Sequence, residues 1–202
     1  MIILSVKKEE GFTLIELIVA IFILSVAVVG IFGAFSIMVV LTYDAADRLT
    51  AAYLAQEGVE IIRNIRDSNW LRMEQESAFS WDESLSFCES AGCNVDFFTT
   101  GDDPYVVMPW YNSDLDYLNI DSNGFYSYDI GGRTKFKRKI TIETDTGAIP
   151  EYVMKISVQV SWDKKSTMFG PAASADTCGS SNCMTAQLLL YNWYNYIPPT
   201  EE

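Results

Sequence analysis

Between Leu17 and Tyr43 the chain runs for 27 residues without a charge. As a helix rising ~1.5 Å per residue, such a run is about 40 Å long. About 20 apolar residues suffice to cross the hydrocarbon of a bilayer. A core helix of this length would need a far larger domain than a chain of 202 residues supplies, since that length corresponds to one domain plus an appendage. The run is therefore expected to cross a membrane. A secretory signal would put a small-residue cleavage site after the run. Here the chain continues as LTYDAADRL, a helical pattern, so the segment is expected to be retained. Lys7 and Lys8 precede it. Acids contribute little to the positive-inside rule, so Glu9 and Glu10 do not cancel them, and the N-terminus is expected in the cytoplasm.

Glu16 stands one residue before the uncharged run. An ionisable group inside a membrane helix is costly and is a functional candidate by default, although near a helix end a carboxylate can also reach the interface. The chain has no histidine and a formal charge of −13. Ser-His-Asp and Cys-His triads and His-ligated zinc are thereby excluded. Nucleic-acid binding, which relies on Lys and Arg neutralising phosphates, is disfavoured. The acidity is uneven: residues 1–43 and 44–72 carry −1 each, and residues 73–202 carry −11.

The stretch KKEEGFTLIELIVAIFILSVAVVGIFGAF resembles the N-terminus of type IV prepilins and type II secretion pseudopilins. Its carriers are a short charged leader ending in Gly11, then Phe12, Thr13, Leu14, Ile15 and Glu16, then the apolar run. The resemblance implies that a prepilin peptidase cuts between Gly11 and Phe12 on the cytoplasmic side and that Phe12 is N-methylated. It also implies assembly into a filament. There, a physical role for Glu16 follows: methylation preserves the charge of the Phe12 ammonium, and a buried carboxylate on one subunit can pair with it on a neighbour. Gly11 lacks a Cβ, which permits close approach of the peptidase to the scissile backbone. The implied partners are other pilin or pseudopilin subunits, the peptidase/methyltransferase, an inner-membrane assembly platform and the lipid bilayer. The implied location is the bacterial inner membrane, then a pilus or the cell surface. No cofactor, metal or catalytic residue is expected.

Five segments are expected: a leader over 1–11, a transmembrane and assembly half-helix over 12–43, an amphipathic half-helix over 44–72, an acidic irregular insertion over 73–132, and an antiparallel sheet over 133–202. In the second helical half, Leu49, Ala52, Ala55, Val59 and Ile62 recur at helical steps. The pattern predicts one long helix from about Thr13 to Asp67–Arg72, with Gly58 as an interior weak point costing about 1 kcal/mol against Ala. Gly30 and Gly33 offer either local extension on assembly or close packing of helices. The insertion holds twelve acids, no Lys or Arg, and many aromatics. KFKRKITIET, YVMKISVQVSWD and AQLLLYNWYNY carry strand signals. The expected fold is α+β: a long N-terminal helix packed on a three- to four-stranded antiparallel sheet, the pilin arrangement. LAQEGVEIIRNIRDSNWL, IDSNGFYSYD, TKFKRKITI and VQVSWD further resemble minor pilins and pseudopilins of the V/I type, without separating pilus from secretion subunits.

Cys88, Cys93, Cys178 and Cys183 form two C-x4-C pairs, which permit three disulfide connectivities. Local pairing, Cys88–Cys93 and Cys178–Cys183, is expected first and cross-pairing second, in an extracytoplasmic head where disulfides persist. A site with four thiolates on zinc is the alternative. Asp114, Asp116, Asp121 and Asn123 could supply oxygens to Ca²⁺, but the EF-hand pattern is incomplete and a solvated turn is expected. Arg133, Lys135, Lys137, Arg138 and Lys139 form the main basic cluster. On a strand, Lys135, Lys137 and Lys139 share one face. A solvated face, or one meeting an acidic neighbour, is favoured over DNA binding. Three functions compete: a structural filament subunit, a membrane-anchored binding or sensor module that never polymerises, and an anchored carboxylate hydrolase. The last is weak, since no spacing singles out two acids.

Overall fold

The computed structural model describes residues 11–74, 80–89, 92–95, 117–144, 152–167 and 170–193. A helix, α1 (Leu14–Met73), runs without interruption for 60 residues. No proline breaks it, and Arg72 lies in its last turn, where a cation meets the negative end of the helix dipole favourably. The chain divides into two units, residues 1–44 and 45–202.

In the first unit, every apolar side chain from Leu14 to Val39 is exposed. The apolar pattern has no polar side to contrast with, so no face is singled out for burial. This is the one helix among the described residues long and apolar enough to cross a membrane.

In the second unit, α1 becomes amphipathic. Ala51, Leu54, Ala55, Val59, Ile62 and Ile65 are buried at three- and four-residue steps, while Gln56, Glu60 and Asn64 face solvent. The buried stripe belongs to one core with the sheet. The strands are β1 (Tyr117–Ile120), β2 (Tyr126–Ser127), β3 (Gly132–Thr144), β4 (Val153–Trp162) and β5 (Cys183–Tyr191). They form an antiparallel sheet in the order β2-β1-β3-β4-β5. The class is therefore α+β as expected, with five strands instead of three or four. The extra two are β1 and β2, a short hairpin at the end of the segment expected to be irregular. Aspartate chemistry closes this hairpin: Asp121 accepts from the amides of Asn123 and Phe125, both at 2.8 Å. Gly131 then turns the chain towards β3 at φ +110°, where a Cβ would lie 2.2 Å from the Ile120 carbonyl oxygen.

β4 lies inside the sheet, paired with β3 from Met154 to Trp162 and with β5 from Val153 to Ser161. Its even-numbered residues, Met154, Ile156, Val158, Val160 and Trp162, are all buried in the core. β-branched residues suit such a strand because their branched Cβ packs on the pleated surface. Gly58 sits opposite. A Cβ there would lie 2.9 Å from Val158 Cγ1 and 3.2 Å from Arg138 Cδ. The helix pays a propensity penalty at Gly58 and gains a close approach to β3 and β4.

The remaining described segments fasten to this frame. Asn69, near the end of α1, donates from Nδ2 to the carbonyls of Trp81 at 3.2 Å and Glu83 at 2.9 Å. Cys93 exchanges backbone hydrogen bonds with Ile140 on β3, at 2.8 and 3.0 Å. Asn182 donates to the carbonyls of Trp162, Ser174 and Thr177 and so folds the long connection before β5.

Candidate functional site

Gly11, Phe12 and Thr13 form a short non-helical lead into α1. Phe12 is 82% exposed. A Cβ on Gly11 would meet nothing within 4 Å, so the chain's own fold places no demand for glycine there. Thr13 is the N-cap: its Oγ1 accepts from the amide of Glu16 at 3.3 Å, and its carbonyl accepts from the amide of Leu17 at 3.2 Å. This capping role of Thr13 has a sequence signal beyond the resemblance that names the residue, since T-x-x-E before an apolar run is the signature of a capping box. Glu16 thus occupies the third helical position, where the helix dipole also favours a carboxylate. It is exposed, like its apolar neighbours. The leader residues Lys7, Lys8, Glu9 and Glu10 lie outside the described residues.

The arrangement has a definite chemical character. An accessible backbone junction at Gly11–Phe12 precedes a capped helix. One carboxylate stands a turn beyond the junction, and the apolar surface that follows has no partner within its own unit. Such a surface is stable only in lipid or against other apolar helices. A family model for the prokaryotic N-terminal methylation motif matches residues 6–32, spanning the junction, Glu16 and the first part of the apolar run. The chain fits a type IV prepilin-like protein. No curated protein and no solved structure matches it.

The other candidates of this prepilin-like chain lie in the head. Both cysteine pairs close locally, Cys88–Cys93 and Cys178–Cys183, with Cα–Cα distances of 4.8 and 4.9 Å. All four sulfurs are consumed, which removes the zinc alternative. Cys88–Cys93 ties the 3₁₀ turn Ser86–Cys88 to the residue that pairs with β3, and Cys178–Cys183 closes the turn that opens β5. Asp121 is occupied by its turn. The amide of Phe125 foremost, with those of Asn123 and Gly124, holds its carboxyl below the usual carboxylate range. Asp114 and Asp116 lie outside the described residues. Among the described residues, no group of three or more His, Cys, Asp or Glu is placed to hold a metal ion.

The basic cluster differs most from expectation. Four of its five members, Arg133, Lys135, Lys137 and Arg138, make contacts within the chain, and Lys139 is half-buried. Lys135 reaches Asp47 on α1 at 2.6 Å. Lys137, with its side chain 6% exposed, bonds Asp176 at 2.6 Å, which holds that carboxyl below its ordinary range. Tyr117 lies under both Arg133 and Lys137, 3.7 and 4.4 Å from its ring centroid. Its hydroxyl donates to Asp163 at 2.8 Å, which pushes the phenol above its usual value.

Arg138 is fully buried. It donates to the carbonyls of Leu54 at 3.3 Å and Val95 at 2.8 Å and faces Glu57 at 3.6 Å. It therefore joins the helix, the strand and the loop after Cys93. Alternation on β3 puts Arg138 on the core side with Phe136 and Ile140. That placement was legible in the sequence, but the partners were not.

Proposed function

We propose that the chain is a structural subunit, a minor pilin or pseudopilin, of a type IV pilus or a related type II secretion filament. Its precursor is cut between Gly11 and Phe12, N-methylated at Phe12, and assembled through the Phe12 amine and Glu16. The observation that carries this reading is the methylation motif placed at the start of a helix whose apolar side chains from Leu14 to Val39 are all exposed. Membrane anchoring follows from that surface. An inner-membrane location with a cytoplasmic N-terminus is the arrangement in which the junction meets a membrane peptidase. The glycine requirement at position 11, which the fold does not impose, is then imposed by that enzyme. Other pilin subunits and an assembly platform are the partners. The motif points to a structural role and not to catalysis.

The intact mass of the membrane-extracted protein tests the processing. Loss of residues 1–11 with gain of one methyl group is expected, and an uncut chain refutes it. Gly11→Val should leave the precursor uncut in the membrane.

The capping geometry favours one competing account of Glu16, in which it only starts the helix of an anchor that never polymerises. Glu16→Gln separates the two. Glutamine serves a capping box as glutamate does, but it cannot pair with a buried ammonium. Impaired incorporation into sheared filaments supports pairing, and normal incorporation leaves Glu16 as a cap alone.

A further inference from the structure

At the C-terminal end of α1 a cleft of about 390 Å³ opens between the helix and the residues after β5. Arg66, Asp67, Trp70, Leu71, Glu74 and Trp193 line it. Trp193 is 63% exposed, and it meets Trp70 edge-on with ring centroids 4.6 Å apart. The Arg66 guanidinium lies 4.4 Å from the centre of the Trp70 ring and donates to Asp67 at 2.9 and 2.8 Å. The cation over Trp70 is therefore neutralised where it stands. Trp70 itself is 9% exposed, and its indole N–H has no hydrogen-bond partner.

These features narrow the ligand. An anion would meet Glu74 and the head's net negative charge. A quaternary ammonium is held by several aromatic faces, but Arg66 already covers one face of Trp70. What the cleft offers is an exposed indole surface on Trp193, carboxylate acceptors at Asp67 and Glu74, and the Arg66 guanidinium as donor. A pyranose ring has the matching form, with an apolar C–H face to lie on an aromatic ring and hydroxyls at its edge that donate and accept. The volume falls near the lower end of small-molecule sites, ~300–1,000 Å³. The geometry points to a binding site for a neutral saccharide of one or two pyranose rings, stacked on Trp193. The site goes beyond the filament reading and stands independently of it, because a membrane anchor with the same head would bind alike.

The test uses the full chain extracted in an amine-oxide detergent, which has no sugar head group to compete. Methyl glucoside, methyl galactoside, N-acetylglucosamine, lactose and cellobiose are titrated by calorimetry. At least one is expected to saturate. Trp193→Ala should weaken that binding about tenfold, on the scale of one lost aromatic stacking contact. Trp193→Phe should restore most of it, and Asp67→Asn should weaken it less than Trp193→Ala. Saturation by none of the five overturns the proposal, as does binding to Trp193→Ala at wild-type affinity. A concentration-dependent oligomer that Trp193→Ala dissolves, without any sugar response, overturns it in favour of a second copy of the chain.

Discussion

The two halves of α1 share a backbone and differ in what lies against it. From Leu14 to Val39 the apolar side chains are exposed all round. From Ala51 to Ile65 only one stripe is apolar, and it is buried. The first half carries its hydrophobic surface outwards to lipid or other helices, and the second spends it inside its own head. The glycines repeat the contrast. A Cβ on Gly30 or Gly33 meets nothing within 4 Å, whereas one on Gly58 strikes Val158. A shared propensity for helix therefore says little about the job of each half. The pattern of polar residues around the helix says more.

Mutations can break or sharpen that contrast. Arg138→Ala should have the largest effect on the head. It removes the buried cation and leaves the Leu54 and Val95 carbonyls without that donor, at about 3–5 kcal/mol from the two lost hydrogen bonds and the cavity left behind. Thermal melting of the extracted chain should show it, and a melting point within a degree of wild type would contradict the role given to Arg138. Ile62→Ala should cost about 2–5 kcal/mol as a core truncation. Ile23→Ala, the same change in the stem, should leave the head's melting unchanged, and equal shifts from the two would abolish the distinction between the halves.

Gly58→Val should cost about 1–3 kcal/mol through overpacking against β4. Gly30→Val should leave the head's melting point alone and act only on assembly, read as the fraction of subunits in sheared filaments. The smallest effect is in acid. Asp121 and Asp176 have carboxyls held low in the folded head. Their contribution is present above the unfolded value of about 3.9 and is lost as pH falls through the lower folded values. The melting point should therefore fall on acidification below about pH 4. Asp176→Asn should flatten that decline, and an unchanged acid limb would remove Asp176 from the account.

Much of the candidate site was legible in the residues themselves. Gly11, Phe12, Glu16 and the apolar run form a local pattern, and the capping role of Thr13 could have been added from its spacing to Glu16. The three long strands were legible from β-branched alternation. β1 and β2 were not, because their four and two residues are too short for a period to stand out. Their turn, DSNG, was visible without the strands it joins. The cysteine spacing left three connectivities open, and tertiary placement against β3 and before β5 closed both loops locally.

The sequence by itself determined that this chain has a long apolar helix, an N-terminal methylation motif at its start and an α+β head. All three rest on local periodicity and spacing, which a linear reading can measure. Tertiary structure decided which charges are surface and which are ties. Lys137 looks like any other cation on a strand, and alternation alone turns Arg138 inward, but the ties both make depend on Leu54, Glu57, Val95 and Asp176, which lie up to 84 residues away. It also decided that Gly58 is a fitting surface for Val158 and that Trp70 and Trp193 share a cleft. Contacts between residues far apart in the chain leave no period in the sequence.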